Sequence, residues 1–405
     1  MEKSVISETL KKCKEETLWG MFIADAVAMP VHWYYNTDDI KNGYRGWLTG
    51  YNAPNNQHPT SILNISNSGG SGRAIWGKKS EEVIGNVILH DKLKYWTSKD
   101  RKIHYHQGMS AGDNTLNPTM ALQILKTMNR VDQYVTKPDS DVREAVMEDY
   151  VRFMTTPNSH NDTYCESFHR SFFKDWISTD KHPKTGQEIV GFAEDRLKTY
   201  SKHHEDHQLL AIGALIPAIP WVVRTVHLSE KECAKSAVEF LKLTHPVPSL
   251  YPLVEIYSRL LHSVMNGKDL RTQILKVADD PLFGGARFKK QLLAYSELAQ
   301  TKIAGSEARL EVYQKAISNL GMACYIDGAM KSMLFLAYEF HDDFEGGILA
   351  NANCGGENCH RGGALGALLG AASIYTNISI PEQWKEELGV NKSPLKSAIA
   401  VMNEA

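Results

Sequence analysis

No run of about eighteen apolar residues occurs in this 405-residue chain, so it offers no candidate membrane-spanning helix. Charge of one sign is also missing. Lys plus Arg number 45 against 47 for Asp plus Glu, a formal net charge of -2. That balance draws the chain toward neither nucleic acid nor an acidic membrane. Cysteine is sparse, with Cys13, Cys165, Cys233, Cys324, Cys354 and Cys359 scattered and no two pairs at a zinc-ribbon spacing. The pattern suits reduced thiols in a cytoplasmic protein. The first residues, MEKSVISETLKKCKEE, are charged throughout and lack the apolar core of a signal peptide. Period-two alternation, a strand–helix–strand rhythm, an internal repeat and a linker-like stretch are all absent. The expectation is an all-α chain, long enough for a large core, forming one domain over residues 1–405.

What is present is helical periodicity. An amphipathic run over 4–16 leads into a more apolar one over 17–35. Pro30 should end that helix and leave His32, Trp33 and Tyr34 at its end. Asp25 sits in the apolar part and needs a partner, structural or functional. Residues 36–79, rich in Asn, Gly, Ser and Pro, predict a long irregular excursion, either a lid or a subunit contact. Helices are predicted from Ser80 to Trp96, from Asp113 to Asn129, and over 207–227, 249–266, 285–302, 308–319 and 324–340. Capping boxes are read at Asp141 with Glu144, Thr163 with Glu166, and Ser229 with Glu232.

Some motif-like stretches are set aside. Gly72 to Lys78 nearly spells a phosphate loop, but Lys79 stands where a magnesium-binding Ser or Thr belongs, and no apolar strand precedes it. His203 and His207 miss the zinc-protease spacing by one residue and read as a solvated turn. His104 and His106 read as alternating surface residues. The loop from Asn158 to Thr163 is explained by capping alone.

The densest chemistry lies over 341–372. A helix-like Phe344–Ala352 runs into Cys354-Gly355-Gly356, and Glu357, Asn358, Cys359 and His360 follow before a new helix begins around Arg361. Four such groups in a row are poor choices for a buried turn, which marks them as functional. The glycines let a ligand approach the main chain, and the helix start behind them is a natural anion seat. Gly362, Gly366 and Gly370 recur every four residues and read as a closely packed helix face. Asp113-Asn114-Thr115 reads as a helix cap that also offers oxygen ligands for a hard cation.

Three of these pieces, in this order, resemble the ADP-ribosylglycohydrolase family, which includes the jellyfish J-crystallins and the selenoprotein J group. They are Ala24-Asp25-Ala26 through His32, Gly112-Asp113-Asn114-Thr115, and Gly355-Gly356-Glu357-Asn358-Cys359-His360. The lead-in Asp343-Phe344-Glu345 and the small-residue helix Gly362–Ala372 fit as well, and the resemblance spans residues 15–375. It implies a compact all-α domain holding two magnesium ions, which anchor ADP-ribose while carboxylates activate water at the glycosidic carbon. At the positions that match the motifs, Asp113, Asn114, Glu357 and His360 are the candidate metal ligands, and Asp113, Glu357, Cys359 and His360 the candidate catalytic groups. His32, Trp33, Tyr34, Asn353, Gly355 and Gly356 would bind the substrate, with Trp33 and Tyr34 as a stacking wall.

The chain departs from the family at several ligand positions. His32 replaces the acid of the first helix, Asn114 the second Asp of the middle motif, Glu357 and Cys359 the two Asp of the last, and His360 its closing Thr. Of the matched carboxylates only Asp113 and Glu357 remain, a softer set than two hard cations require. Three consequences stay open: a different metal such as zinc or iron; metal-free chemistry with Glu357 or Asp113 as general base; or Cys359 beside His360 as a thiol nucleophile, its pKa lowered by the helix start. The expected activity is hydrolysis of an N- or O-glycosidic bond of ADP-ribose or a related ribosyl compound, on a small molecule or an ADP-ribosylated partner. The alternative is a non-catalytic crystallin-like or ligand-binding protein.

Overall fold

The computed structural model describes residues 2–65, 83–132, 135–202, 206–376 and 378–404, with side chains from Glu8 onward. The stretch Gly72–Lys79, the cap at Ser80 and His203 therefore lie outside the described residues. Among the described residues eighteen α-helices run in chain order. They are α1 (Glu2–Ala28), α2 (Thr37–Tyr44), α3 (Leu93–Trp96), α4 (Leu116–Asp132), α5 (Asp139–Thr155) and α6 (Ser167–Ile177). Then come α7 (Gly186–Tyr200), α8 (Leu215–Thr225), α9 (Glu230–Thr244), α10 (Tyr251–Met265), α11 (Leu270–Ala278) and α12 (Ala286–Gln300). The last are α13 (Glu307–Leu320), α14 (Ile326–Glu339), α15 (Phe344–Asn353), α16 (Asn358–Thr376), α17 (Glu382–Glu386) and α18 (Lys392–Glu404). Among the described residues strand-like pairing is limited to isolated bridges such as Gln57 with Ile103. The all-α expectation holds, and no described helix is long and apolar enough to cross a membrane.

The two runs predicted over 4–16 and 17–35 form one helix, because no breaker separates Glu16 from Thr17. Pro30 falls in the short 3-10 turn Met29–Val31 that ends it, and His32 follows as the cap. From Leu18 onward this helix is buried. Its partner is α16, and the glycines explain how close they lie. A Cβ on Gly366 would stand 2.1 Å from the Gly20 carbonyl oxygen, and one on Gly370 2.1 Å from that of Glu16. The bare face of α16 is there for backbone packing, as expected. Helices α14 and α15 pack on one side of this pair, α8 and α10 on another, and α4, α5 and α9 extend the layer beyond α8.

Ser229 and Glu232 form the predicted capping box. The other two boxes are not formed. Helix α5 starts at Asp139 behind Pro138, so Asp141 lies inside its first turn. Thr163 donates its hydroxyl to the Gln107 carbonyl, and α6 begins only at Ser167, which frees Glu166 to turn inward. The run predicted from Ser80 narrows to α3, because Gly85 and Leu89 adopt left-handed backbone angles that turn the chain before it. All six cysteines are unpaired.

Candidate functional site

Three segments meet where α1 ends and α16 begins. The turn Gly355-Gly356 has φ of 63° and 65°, and it exists for close approach of chain to chain. A Cβ at Gly355 would stand 2.2 Å from the Tyr34 carbonyl, and one at Gly356 2.3 Å from Met322. Backbone bonds lock the two segments: Trp33 N–H to the Gly356 carbonyl, and Gly356 N–H to that of Tyr34, both 2.8 Å. Trp33 itself is held at φ 62°, a strained angle for so bulky a residue. Its indole N–H then reaches Glu357 Oε2 at 2.8 Å. The fully buried Arg361 braces the turn, donating to the carbonyls of Asn351 and Gly355 and to the Asn351 side chain.

Glu357 is the hub. His32 Nε2 stands 2.9 Å from its Oε1, and His360 Nδ1 3.1 Å from the same oxygen. On its far side His32 Nδ1 meets His106 Nε2 at 2.7 Å, and His106 Nδ1 meets Asp162 Oδ1 at 2.7 Å. The result is a buried chain, Glu357–His32–His106–Asp162. Asp162 also accepts the N–H of Leu116 and of Tyr164. On the other flank Glu166 Oε1 comes within 3.9 Å of His360 Nδ1, while its Oε2 accepts the Asn117 amide. Asp25 accepts from Thr115 twice and from Asn114 once, tying α1 to the start of α4. Every one of these acids and imidazoles is buried.

Burial is the first force on each group and opposes its charge. Glu357 is nevertheless held well below the usual carboxylate range, because His32 and His360 flank it. In Asp162 burial is likewise overcome, by His106 and by the Tyr164 N–H, and the carboxyl stays low. His360 is pushed up to about 10, since Glu166, Glu357 and Asp25 together outweigh burial. His32 goes the other way, to about 4, because burial outweighs Glu357. Burial raises Glu166, with the Glu357 charge adding to it, and raises Asp25 to about 6.

Of the predicted site residues, His32, Trp33, Glu357, Cys359 and His360 come together here. Asp113 does not join them. Its carboxylate is filled by the N–H groups of Ser110 and Val390 and by the Asn161 amide, which fasten the loop before α18. Asn114 is spent on Phe22, Asp25 and Asn391. Asn353 pairs its amide with both backbone groups of Leu48. Trp33 and Tyr34 form no open stacking wall: both are buried, Trp33 against His32, Tyr105 and Tyr164, and Tyr34 against His58. Helix α16 starts at Asn358, and the Glu357 N–H is taken by the Met322 carbonyl, so the expected anion seat is filled internally.

The thiol reading fails on direction. Cys359 is fully buried, and burial with Asp25, Glu357 and Asp162 around it drives its thiol well above the ordinary value. Glu357, held so firmly as an anion, is a weak general base. Sequence reasoning missed His106, Asp162 and Glu166. His104 and His106, taken for surface residues, are fully buried. No pattern within a few residues of any of the three separates a buried partner from a capped surface turn.

The donor set does not fit a pair of magnesium ions. His32, Glu357 and His360 bring ligand atoms within 4.8 Å of one another, and so do His32, His106 and Cys359. Each group supplies nitrogen or sulfur and at most one carboxylate, where magnesium demands oxygen. The oxygen ligands expected from Asp113 and Asn114 are engaged elsewhere.

Fold and site together define an all-α protein built around a buried centre of acids and histidines. A profile of the ADP-ribosylglycohydrolase family matches residues 10–404, and the chain belongs to that family. No curated protein matches it. Among the solved structures that match is one titled an ADP-ribosylglycohydrolase-related protein complex. It is 13% identical, with a TM-score of 0.48 over 98% of this chain and 99% of its own.

Proposed function

We propose that the chain is a hydrolase that cleaves a glycosidic bond of ADP-ribose or a related ribosyl compound by acid–base chemistry, without a magnesium pair. One observation carries this reading. Glu166 and Glu357 approach the same His360 nitrogen, at 3.9 and 3.1 Å, while one carboxyl is pushed up and the other down. Environments that split two carboxyls in this way assign an acid and an anion within one site. Glu166, whose carboxyl burial biases toward the protonated form, gives its proton to the leaving-group atom as that atom takes the electron pair of the glycosidic bond. Glu357, ionised, faces the positive charge that develops on the sugar. Water then adds at the anomeric carbon and returns a proton to Glu166. His360 is a fixed cation between the two acids, and the His32–His106–Asp162 chain orients Glu357.

The burial of the whole cluster favours a second reading, a family member of the crystallin-like kind that keeps the fold and binds a ligand without turnover. A calorimetric titration of chelator-treated protein with ADP-ribose, with and without magnesium, comes first. Binding independent of magnesium, followed by release of ADP-ribose from a ribosylated substrate, is the expected result. Glu166→Gln should then slow turnover by about 10²–10⁴-fold, the usual reach of a general acid. Turnover that needs magnesium would overturn the reading, and binding without turnover would select the second one.

A further inference from the structure

A separate cavity of about 430 Å³ lies between the start of α13, the end of α14 and one face of α15. That volume is in the range of small-molecule sites, roughly 300–1,000 Å³. Trp47, Tyr313 and Phe340 give it aromatic walls. Glu339 lines it with a side chain only 2% exposed. The one charged partner that the described residues give this carboxylate is Arg309 Nη2, 3.8 Å away, too far for a hydrogen bond. Arg309 spends its Nε on the Tyr313 hydroxyl at 2.7 Å. A carboxylate withdrawn from water with only a 3.8 Å ion pair to compensate it is costly, and it lines the cavity. Asp342 and Asp343 add negative charge on the same side, Asp343 as the cap of α15, whose start there offsets the end of α14. Glu307 on the opposite rim is already matched by Lys41 and the Trp47 indole. Negative charge thus exceeds the single Arg309 cation, and a buried anion stands beside aromatic faces.

We propose that this cavity binds a small organic cation, an ammonium or guanidinium on an apolar body, with Glu339 as its counter-ion. The apolar body lies against the aromatic wall of Trp47, Tyr313 and Phe340. The site stands apart from the Glu166–Glu357 centre, and its occupancy does not depend on what that centre does.

Calorimetric titration of the full chain with butylguanidinium, set against the neutral isostere butylurea, tests this. The expected result is saturable binding of the cation at one site per chain, weakening as salt is raised, with no measurable binding of butylurea. Glu339→Gln should weaken the cation by at least about tenfold. The same change should leave the melting temperature level or raised, since a poorly paired buried charge is removed. Leu349→Trp, which fills the cavity from α15, should abolish binding. Equal binding of butylurea, no binding of the cation, or unchanged affinity in Glu339→Gln would each overturn the proposal. The comparison of cation with isostere needs no variant, so a misfolded substitution does not shield it.

Discussion

His106 donates no ring nitrogen to solvent: Nε2 lies 2.7 Å from His32 and Nδ1 2.7 Å from Asp162. The same geometry, an imidazole oriented by a carboxylate behind it, fixes tautomers wherever a histidine must face one way. Here it fixes His32 toward Glu357.

Asp162→Asn should therefore act through orientation. An amide puts either a weaker acceptor or a donor against His106 Nδ1. Turnover should fall by about 10–100-fold, as removal of such outer partners usually does. The pH profile of kcat/KM should change shape, and Asp162→Glu should recover part of the activity. A fall in activity with an unchanged profile would mean that Asp162 merely holds the Leu116 and Tyr164 N–H groups.

Thiol reagents should find Cys324 before Cys359. Cys324 is partly exposed, whereas Cys359 is fully buried among three acids. Mass spectrometry after brief iodoacetamide treatment of the native protein reads the order directly. Cys359→Ser should keep most of any activity. Faster labelling of Cys359, or an inactive serine variant, would restore the thiol mechanism.

Much of this centre was legible in the sequence, and the reason is local. Gly355-Gly356-Glu357 through His360 is one contiguous stretch, and Pro30 marks where α1 must stop, so both halves of the Glu357–His32 contact could be named. His106, Asp162 and Glu166 were not legible, because nothing within a few residues of them distinguishes a buried partner from a capped surface turn. Asp162 and Glu166 each carried a sufficient capping explanation, and only the tertiary fold removes it. Asp113 shows the reverse. It carries the family motif in its neighbours, yet its carboxylate is consumed by a loop some 277 residues away in sequence at Val390.

Gly366→Ala tests how tightly α1 and α16 are pressed together. Alanine is the better helix former by about 1 kcal/mol, which on its own would stabilise. Its Cβ would, however, stand 2.1 Å from the Gly20 carbonyl, and neither backbone can yield. Overpacking of this kind costs about 1–3 kcal/mol or more, so the net change should be a lower melting temperature. Gly363→Ala is the control. Its Cβ would meet the flexible end of the Ile216 side chain at 2.8 Å, and it should be close to neutral. Equal effects in the two variants would refute the close-packed seam.

Acid should unfold this protein through its buried histidines. His32 and His58 are lowered to about 4 and His245 to about 3, each chiefly by burial. Their unfolded counterparts titrate near about 6.5. Between those values the unfolded chain binds more protons than the folded one, so stability must fall as pH falls from about 6.5 toward 4. Each such histidine contributes a slope of up to about 1.4 kcal/mol per pH unit. Asp25, raised to about 6 by burial, works against this trend, as does Glu166, but the histidines outnumber them. His360 acts at the alkaline side. Held up at about 10, its contribution is complete below about 6.5 and is lost as pH rises through its folded value. Urea midpoints measured across this range should peak near neutrality. His245→Asn isolates the acid limb, because His245 packs against Phe168 and hydrogen-bonds Thr244, away from Glu357. The variant should lose about one histidine's share of the acid slope. A profile that is flat between pH 4 and 6.5 would mean that these imidazoles are hydrated and charged in the folded protein, and the buried chain from Glu357 to Asp162 would have to be abandoned with them.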